Sequence, residues 1–190
     1  RFDWEVERDW LITTPGVVFA LSAAVRAVTE PGDAVLVQPP VYYPFYRVIN
    51  NNDRTLVQSP MIYKDGRYYM DFVDFEQKIV ENNVKLYILC SPHNPVCRVW
   101  TKEELQTLGA ICKKHNVTII SDEIHCDFAF PEHPHIPFVK ACPDMMDATI
   151  ICTAPSKTFN LAGLQVSNIF VPGEELRAKL KREMEVISYD

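Results

Sequence analysis

The stretch Val117-Thr118-Ile119-Ile120-Ser121-Asp122-Glu123-Ile124-His125 contains the pattern on which the fold prediction rests. Its first four residues are apolar or β-branched, which predicts a buried strand, and polar residues follow at once. The runs 86–90 and 148–153 end in the same way, before Asn94 and Lys157. Because ligands bind at the carboxyl ends of strands in an open parallel α/β sheet, we expect Asn94, Asp122 and Lys157 to lie together.

Lys157 and Asp122 have the clearest chemical implication of these residues. A lysine held among apolar neighbours at a sheet edge loses its proton more readily than one in water, so Lys157 is a candidate nucleophile toward an aldehyde. A nearby aspartate can keep a heteroaromatic nitrogen protonated, because opposite charges about 4 Å apart attract by about 4 kcal/mol at an effective dielectric of about 20. The pair indicates pyridoxal-phosphate chemistry, in which the cofactor accepts electrons and the protein sets its charge.

Longer strings of the sequence carry a resemblance to a known family. They are Gln38-Pro39-Pro40-Val41-Tyr42-Tyr43-Pro44-Phe45, Ser91-Pro92-His93-Asn94-Pro95-Val96, Arg98-Val99-Trp100, Ser121-Asp122-Glu123-Ile124-His125 and Ala154-Pro155-Ser156-Lys157-Thr158-Phe159-Asn160. In this order and spacing they resemble the fold-type I pyridoxal-phosphate enzymes of the aminotransferase class I/II superfamily. Within it, they resemble the cystathionine β-lyase branch of MalY-, PatB- and cystalysin-like proteins.

This resemblance implies an α/β fold with a mostly parallel open sheet and helices on both faces, the large domain of fold-type I enzymes. The opening Arg1-Phe2-Asp3-Trp4 has neither an initiator methionine nor the build of a signal peptide. Because the family has further residues before this point and a small domain afterwards, we expect residues 1–190 to be a partial pyridoxal-phosphate-binding large domain, an internal fragment without those two parts.

The resemblance also implies roles for single residues. Lys157 would condense with the cofactor aldehyde and serve as general base, and Asp122 would keep the ring nitrogen protonated. The turn at Gly16 and Ser156 would hold the phosphate. The predicted catalytic residues are Lys157 and Asp122, the predicted cofactor-binding residues are Val17, Val18, Tyr42, Asn94, Asp122, His125, Ser156 and Lys157, and Tyr43 is a predicted substrate contact.

Several of these residues have a plainer interpretation from pattern alone. Most helix starts, such as that at Gly16, bind only water or a capping group. Tyr42, which the resemblance stacks on the cofactor ring, could simply fill the core. Asn94, which it places on the phenolic oxygen, could simply form a turn before proline. His125 stands where many relatives have a tyrosine, so a neutral core histidine and a cofactor contact are equally open.

Besides His125, Gln165 and Cys97 depart from the family pattern. Gln165 stands where many members have an arginine that pairs with the cofactor phosphate, and a neutral amide donates a hydrogen bond without supplying charge. Cys97 stands where relatives usually have glycine. If the backbone there is left-handed, a cysteine strains it.

Composition limits the other possibilities. The 190 residues are 47% hydrophobic and 23% charged, which is typical of one globular domain. A net charge of −6 argues against nucleic acid or an anionic membrane surface as a partner, and no apolar run approaches the roughly 18 residues of a membrane span. Six cysteines without a Cys-x-x-Cys pair indicate reduced thiols of a cytoplasmic protein. His133 and His135 lack the surroundings of a metal site, so no metal is predicted.

The predicted function is a pyridoxal-phosphate-dependent carbon–sulfur β-lyase, which cleaves cystathionine or cysteine-type amino acids to a thiol, pyruvate and ammonia. A class I/II aminotransferase is the alternative, because it uses the same residues. A third hypothesis is a protein of this fold that acts through contacts with a regulator. The expected partners are a small amino-acid substrate and, when full length, a second copy in a homodimer.

Overall fold

The computed structural model describes residues 2–187, in which short strands alternate with helices. The strands are β1 (Leu11–Thr14), β2 (Ala34–Val37), β3 (Thr55–Gln58), β4 (Ile62–Lys64), β5 (Arg67–Tyr69), β6 (Leu86–Cys90), β7 (Thr118–Asp122), β8 (Thr149–Thr153) and β9 (Ser167–Phe170). The α-helices are α1 (Val17–Val28), α2 (Pro44–Asn50), α3 (Phe72–Asn82), α4 (Lys102–Lys114), α5 (Phe138–Ala141), α6 (Pro155–Thr158) and α7 (Glu174–Val186). Among these residues no helix is long and apolar enough to cross a lipid bilayer.

The main sheet has the strand order β1-β9-β8-β7-β6-β2-β3. From β8 to β3 every neighbouring pair is parallel, whereas β9 is antiparallel to both β8 and β1. The predicted mostly parallel α/β sheet is therefore confirmed. A separate hairpin, β4–β5, turns at Asp65-Gly66, a dipeptide that favours tight hairpin turns.

Helices cover both faces of the sheet, because alternate residues of a strand point to opposite faces and enter different hydrophobic clusters. Ile88 and Ile120 pack in a cluster with α1, α2 and α7. Tyr87 and Ile119 pack in a second cluster with α3, α4 and α5. Strand β6 is buried at all five positions, as expected for a parallel strand between two helical layers.

Three helices begin at residues that suit a helix start. Thr101 and Glu104 form a capping box at the start of α4, and at the start of α3 the Asp71 carboxylate accepts a hydrogen bond from the Asp74 N–H at 3.0 Å. Helix α2 begins at Pro44 and ends at Asn50. Proline suits a first helical turn because its fixed φ is helical and its missing N–H would have no partner there.

Candidate active site

One cavity of about 350 Å³ lies at the carboxyl ends of β6, β7 and β8. Strand register explains its position, because Asp122 pairs with Cys90 on one side and with Cys152 on the other. Tyr43, the predicted substrate contact, does not line the cavity. All eight residues predicted to bind a cofactor line it, namely Val17, Val18, Tyr42, Asn94, Asp122, His125, Ser156 and Lys157.

Asp122 is a buried carboxylate with little to balance its charge. The residue is 4% exposed, and its Oδ1 accepts one hydrogen bond, from the Ile124 N–H at 3.2 Å. Burial raises the pKa of Asp122 to about 7, although the Ile124 hydrogen bond and the charge of Lys157 act in the opposite direction. Within residues 2–187 it forms no ion pair, so the site favours a cationic N–H group beside this carboxylate.

Lys157 lies on the short helix α6, directly after β8. The Thr158 hydroxyl donates a hydrogen bond of 2.6 Å to Asp127 Oδ2, which joins α6 to the turn that follows β7. Lys157 is exposed, which corrects the expectation of a lysine enclosed by apolar neighbours. Its amine is therefore held by the position of the helix and remains accessible from the cavity.

The turn before α1 forms another wall. Gly16 has φ 109°, a conformation that a residue with a Cβ rarely adopts, and no side chain caps the helix that starts at Val17. The buried hydroxyl groups of Thr14 and Ser167 lie 2.6 Å apart and tie β1 to β9 beneath this turn. First-turn N–H groups have no intrahelical partner, so the wall at Val17 and Val18 can donate hydrogen bonds to an anion.

The remaining wall is formed by Tyr42, Asn94 and His125. Burial raises the pKa of the Tyr42 phenol, and its ring meets the Phe45 ring edge-on with centroids 5.8 Å apart. Burial, together with the charge of Lys157, lowers the pKa of His125 and so favours the neutral imidazole. Tyr43 lies outside this wall, with 61% of its surface exposed and the Arg47 guanidinium 5.2 Å from its ring centroid.

The departures from the family pattern at Cys97 and Gln165 both fall on left-handed backbone. Cys97 has φ 56°, so the left-handed backbone considered from the sequence is present at an exposed cysteine. Gln165 has φ 52° and lines the cavity. Sequence reasoning did not identify Cys90 and Ile124 as cavity residues, although Cys90 ends the strand before Asn94 and Ile124 follows Asp122.

Behind Asp122 lies a buried network centred on Glu123. One carboxylate oxygen accepts hydrogen bonds from the Ser121 hydroxyl at 3.0 Å and the Phe138 N–H at 2.9 Å, and the other lies 2.8 Å from His135 Nε2. His135 is therefore a partner of Glu123. Within residues 2–187 no group of three or more candidate metal ligands occurs.

Comparison with known proteins gives consistent results. Residues 4–188 match the family model of aminotransferase class I and II. Cystathionine β-lyase PatB of Bacillus subtilis is 48% identical over 185 residues, which are 97% of this chain and 48% of that protein. Cystalysin of Treponema denticola, whose crystal structure contains pyridoxal 5′-phosphate, superimposes with a TM-score of 0.96 and 42% identity over 100% of this chain and 48% of its own.

A further solved structure, the pyridoxal-phosphate-bound C–S lyase of Staphylococcus hominis, has a TM-score of 0.93 and 39% identity over 97% of this chain and 47% of its own. The chain thus spans about half the length of the relatives it matches.

Proposed function

The chain belongs to the aminotransferase class I and II family, and from this premise we propose that it is part of a pyridoxal-phosphate-dependent carbon–sulfur β-lyase. Its substrates would be cystathionine or other cysteine-type amino acids, and its products a thiol, pyruvate and ammonia. The observation that carries the proposal is the buried Asp122, whose carboxylate forms no ion pair within residues 2–187 and lines the same cavity as Lys157. The 48% identity to a cystathionine β-lyase supports this choice of reaction.

The residues of the cavity fit the cofactor. The unpaired carboxylate of Asp122 suits a protonated pyridine nitrogen, because the added positive charge would offset the burial that raises its pKa. The uncapped start of α1 and the side chains of Ser156 and Gln165 can donate hydrogen bonds to a phosphate. Tyr42 can cover the ring face, and Asn94 can donate a hydrogen bond to the phenolic oxygen.

When bound, pyridoxal phosphate supplies an electrophilic aldehyde and a cationic ring that draws electron density from the substrate Cα. Lys157 Nζ is the nucleophile positioned for that aldehyde, and as the free amine it accepts the proton that leaves the substrate Cα. Asp122 holds the ring proton in place throughout. The proton later returns from Lys157 Nζ toward the departing sulfur, so that the overall change is thioether and water to thiol, pyruvate and ammonia.

Residues 1–190 would form part of the large, cofactor-binding domain in this proposal. We also propose a homodimer for the full-length protein and a cytoplasmic location. Tyr43 stays a prediction as a substrate contact, because its exposed position leaves it free to meet parts of the protein or substrate outside the cavity.

The deciding experiment incubates the intact enzyme with cystathionine and no keto acid. We expect thiol and pyruvate in equal amounts, and their loss in Lys157→Ala but not in Lys181→Ala, an exposed lysine on α7. Turnover that begins only when a keto acid is added would instead identify an aminotransferase. Binding to a regulatory protein that survives in Lys157→Ala, without turnover of either kind in the wild type, would support the regulator hypothesis.

A further inference from the structure

A second cavity, of about 680 Å³, adjoins the first. Asn94 and His125 line both, so the two cavities meet at these two residues. The second cavity has apolar walls at Phe128 and Phe130, which are 57% and 73% exposed. Its volume lies in the range of sites that bind small molecules.

The ionisable side chains of the second cavity are all basic or neutral. Among the described residues that line it there are two arginines and three histidines but no aspartate or glutamate. Burial lowers the pKa of His93 to about 4, so this histidine is neutral near neutral pH. Arg98 is balanced by Glu104, whose two carboxylate oxygens lie 2.7 and 2.8 Å from its Nη2.

Of the two arginines that line this cavity, Arg67 is the one without a carboxylate partner among residues 2–187. It is exposed and forms no ion pair within residues 2–187. Its guanidinium lies 5.9 Å from the ring centroid of Tyr69 on the same strand, a contact that leaves its N–H groups free to bind an acid.

Arg98 holds the hairpin that carries Arg67. Its Nη1 donates a hydrogen bond to the Tyr68 carbonyl, and its guanidinium lies 5.5 Å from the Tyr69 ring centroid. The same guanidinium lies 4.8 Å from the ring of the buried Trp100. Arg98 thereby joins β5 to the loop that contains Asn94, which fixes the backbone of Arg67 at the edge of the second cavity.

We propose that the second cavity binds the far end of the substrate, the part beyond the sulfur, and that Arg67 selects thioethers whose far end carries a carboxylate. This inference rests on the proposed function, because the reacting carbon would lie in the first cavity. The phenylalanines would contact the methylene groups, and the arginine would pair with the acid. A substrate with a short alkyl group on sulfur would gain only the apolar contact.

The test compares two substrates of the intact holoenzyme, cystathionine and S-ethylcysteine. In Arg67→Ala, we expect the ratio of kcat/KM for cystathionine to kcat/KM for S-ethylcysteine to fall at least about tenfold. The reason is that the variant loses the charge-assisted hydrogen bond between Arg67 and the far carboxylate, which only cystathionine carries. Lys64→Ala removes a basic side chain from the residue opposite Arg67 on the hairpin and should leave the ratio unchanged. An unchanged ratio in Arg67→Ala would overturn the proposal.

A binding measurement separates this inference from the lyase proposal. Methylthiobutyrate is a thioether acid without an amino group, so its binding requires no turnover. Saturation-transfer NMR should show binding to the wild type and to Lys64→Ala, weakened at least about fivefold in Arg67→Ala. Equal binding to all three proteins, or no binding to the wild type, would refute the role of Arg67. Failure of the wild type to cleave either substrate would instead refute the lyase.

Discussion

Cys90 and Asp122 face each other as the last paired residues of β6 and β7. Both strands therefore end at the same level, and the Asn94 loop and the His125 turn leave the sheet together. Asp122 also pairs with Cys152, which places the start of α6 at this edge. The cavity is thus formed by the register of three parallel strands.

The first prediction concerns the pH dependence of stability. Burial raises the pKa of Asp122 in the folded protein to about 7, from an ordinary value of 3.8. Between these two pKa values the folded protein keeps a proton on Asp122 that the unfolded chain releases. The contribution of Asp122 to the stability of the cofactor-free protein is therefore fully present below the pKa of the unfolded chain, and it is lost as pH rises through the pKa of the folded protein. The expected loss is roughly 3 kcal/mol between about pH 5 and about pH 8.

Urea unfolding of the cofactor-free wild type and of Asp122→Asn checks this dependence. Asparagine has nearly the same shape but no ionisable group, so the wild type should lose stability relative to the variant as pH rises. A constant difference between the two proteins across this range would contradict the prediction.

The second prediction concerns Gln165, which lines the cavity with a neutral amide. Gln165→Arg should tighten the binding of pyridoxal phosphate by about tenfold, because a charge-assisted hydrogen bond to phosphate is stronger than a neutral one. Gln165→Met should weaken it. Spectroscopic titration of cofactor into the cofactor-free protein measures both, and an arginine variant that binds no tighter than the wild type would count against it.

The third prediction concerns the backbone at Cys97, whose φ of 56° disfavours a residue with a Cβ. Cys97→Gly should raise the free energy of unfolding by about 1 kcal/mol. Cys97→Ala removes the thiol but keeps the Cβ, so it should bring no such gain. If both variants change stability equally, the left-handed backbone is not the cause.

The fourth prediction concerns Arg98, whose side chain is 8% exposed and paired with Glu104. Arg98→Ala leaves the Tyr68 carbonyl without its donor and should destabilise the protein by about 3 kcal/mol in urea unfolding. Arg67→Ala is the matched control, because it removes an exposed arginine from the same hairpin and should cost less than about 0.5 kcal/mol. Similar losses in the two variants would exclude a stabilising role specific to Arg98.

Much of the fold could be predicted because the buried strands are short and uniformly apolar. The runs that contain β6, β7 and β8 have no internal glycine or proline, and each is followed within three residues by a polar side chain. The grouping of Asn94, Asp122 and Lys157 around one cavity follows from that pattern. The direction of β9 could not be predicted, since an apolar run carries no information on whether its neighbour is parallel.

Other features depend on contacts between distant segments. Asp122 was expected to be charged beside a cofactor, but its raised pKa comes from burial by surrounding elements. The motif Arg98-Val99-Trp100 indicates only a family resemblance, because the contacts of Arg98 with Tyr68 and Tyr69 depend on where the hairpin β4–β5 lies. The exposure of Lys157 depends on how α6 leaves the sheet.

The interior position of β6, β7 and β8 in the sheet has a consequence for local opening. Each has a hydrogen-bonded strand on both sides, whereas β1 and β3 lie at the two edges. Opening that starts at either edge must first break the hydrogen bonds between the outer strands before it reaches β6 and β7, which end at Cys90 and Asp122. In hydrogen–deuterium exchange, the amides of these three strands should therefore be among the slowest, and the cavity geometry should persist while the margins of the sheet fluctuate.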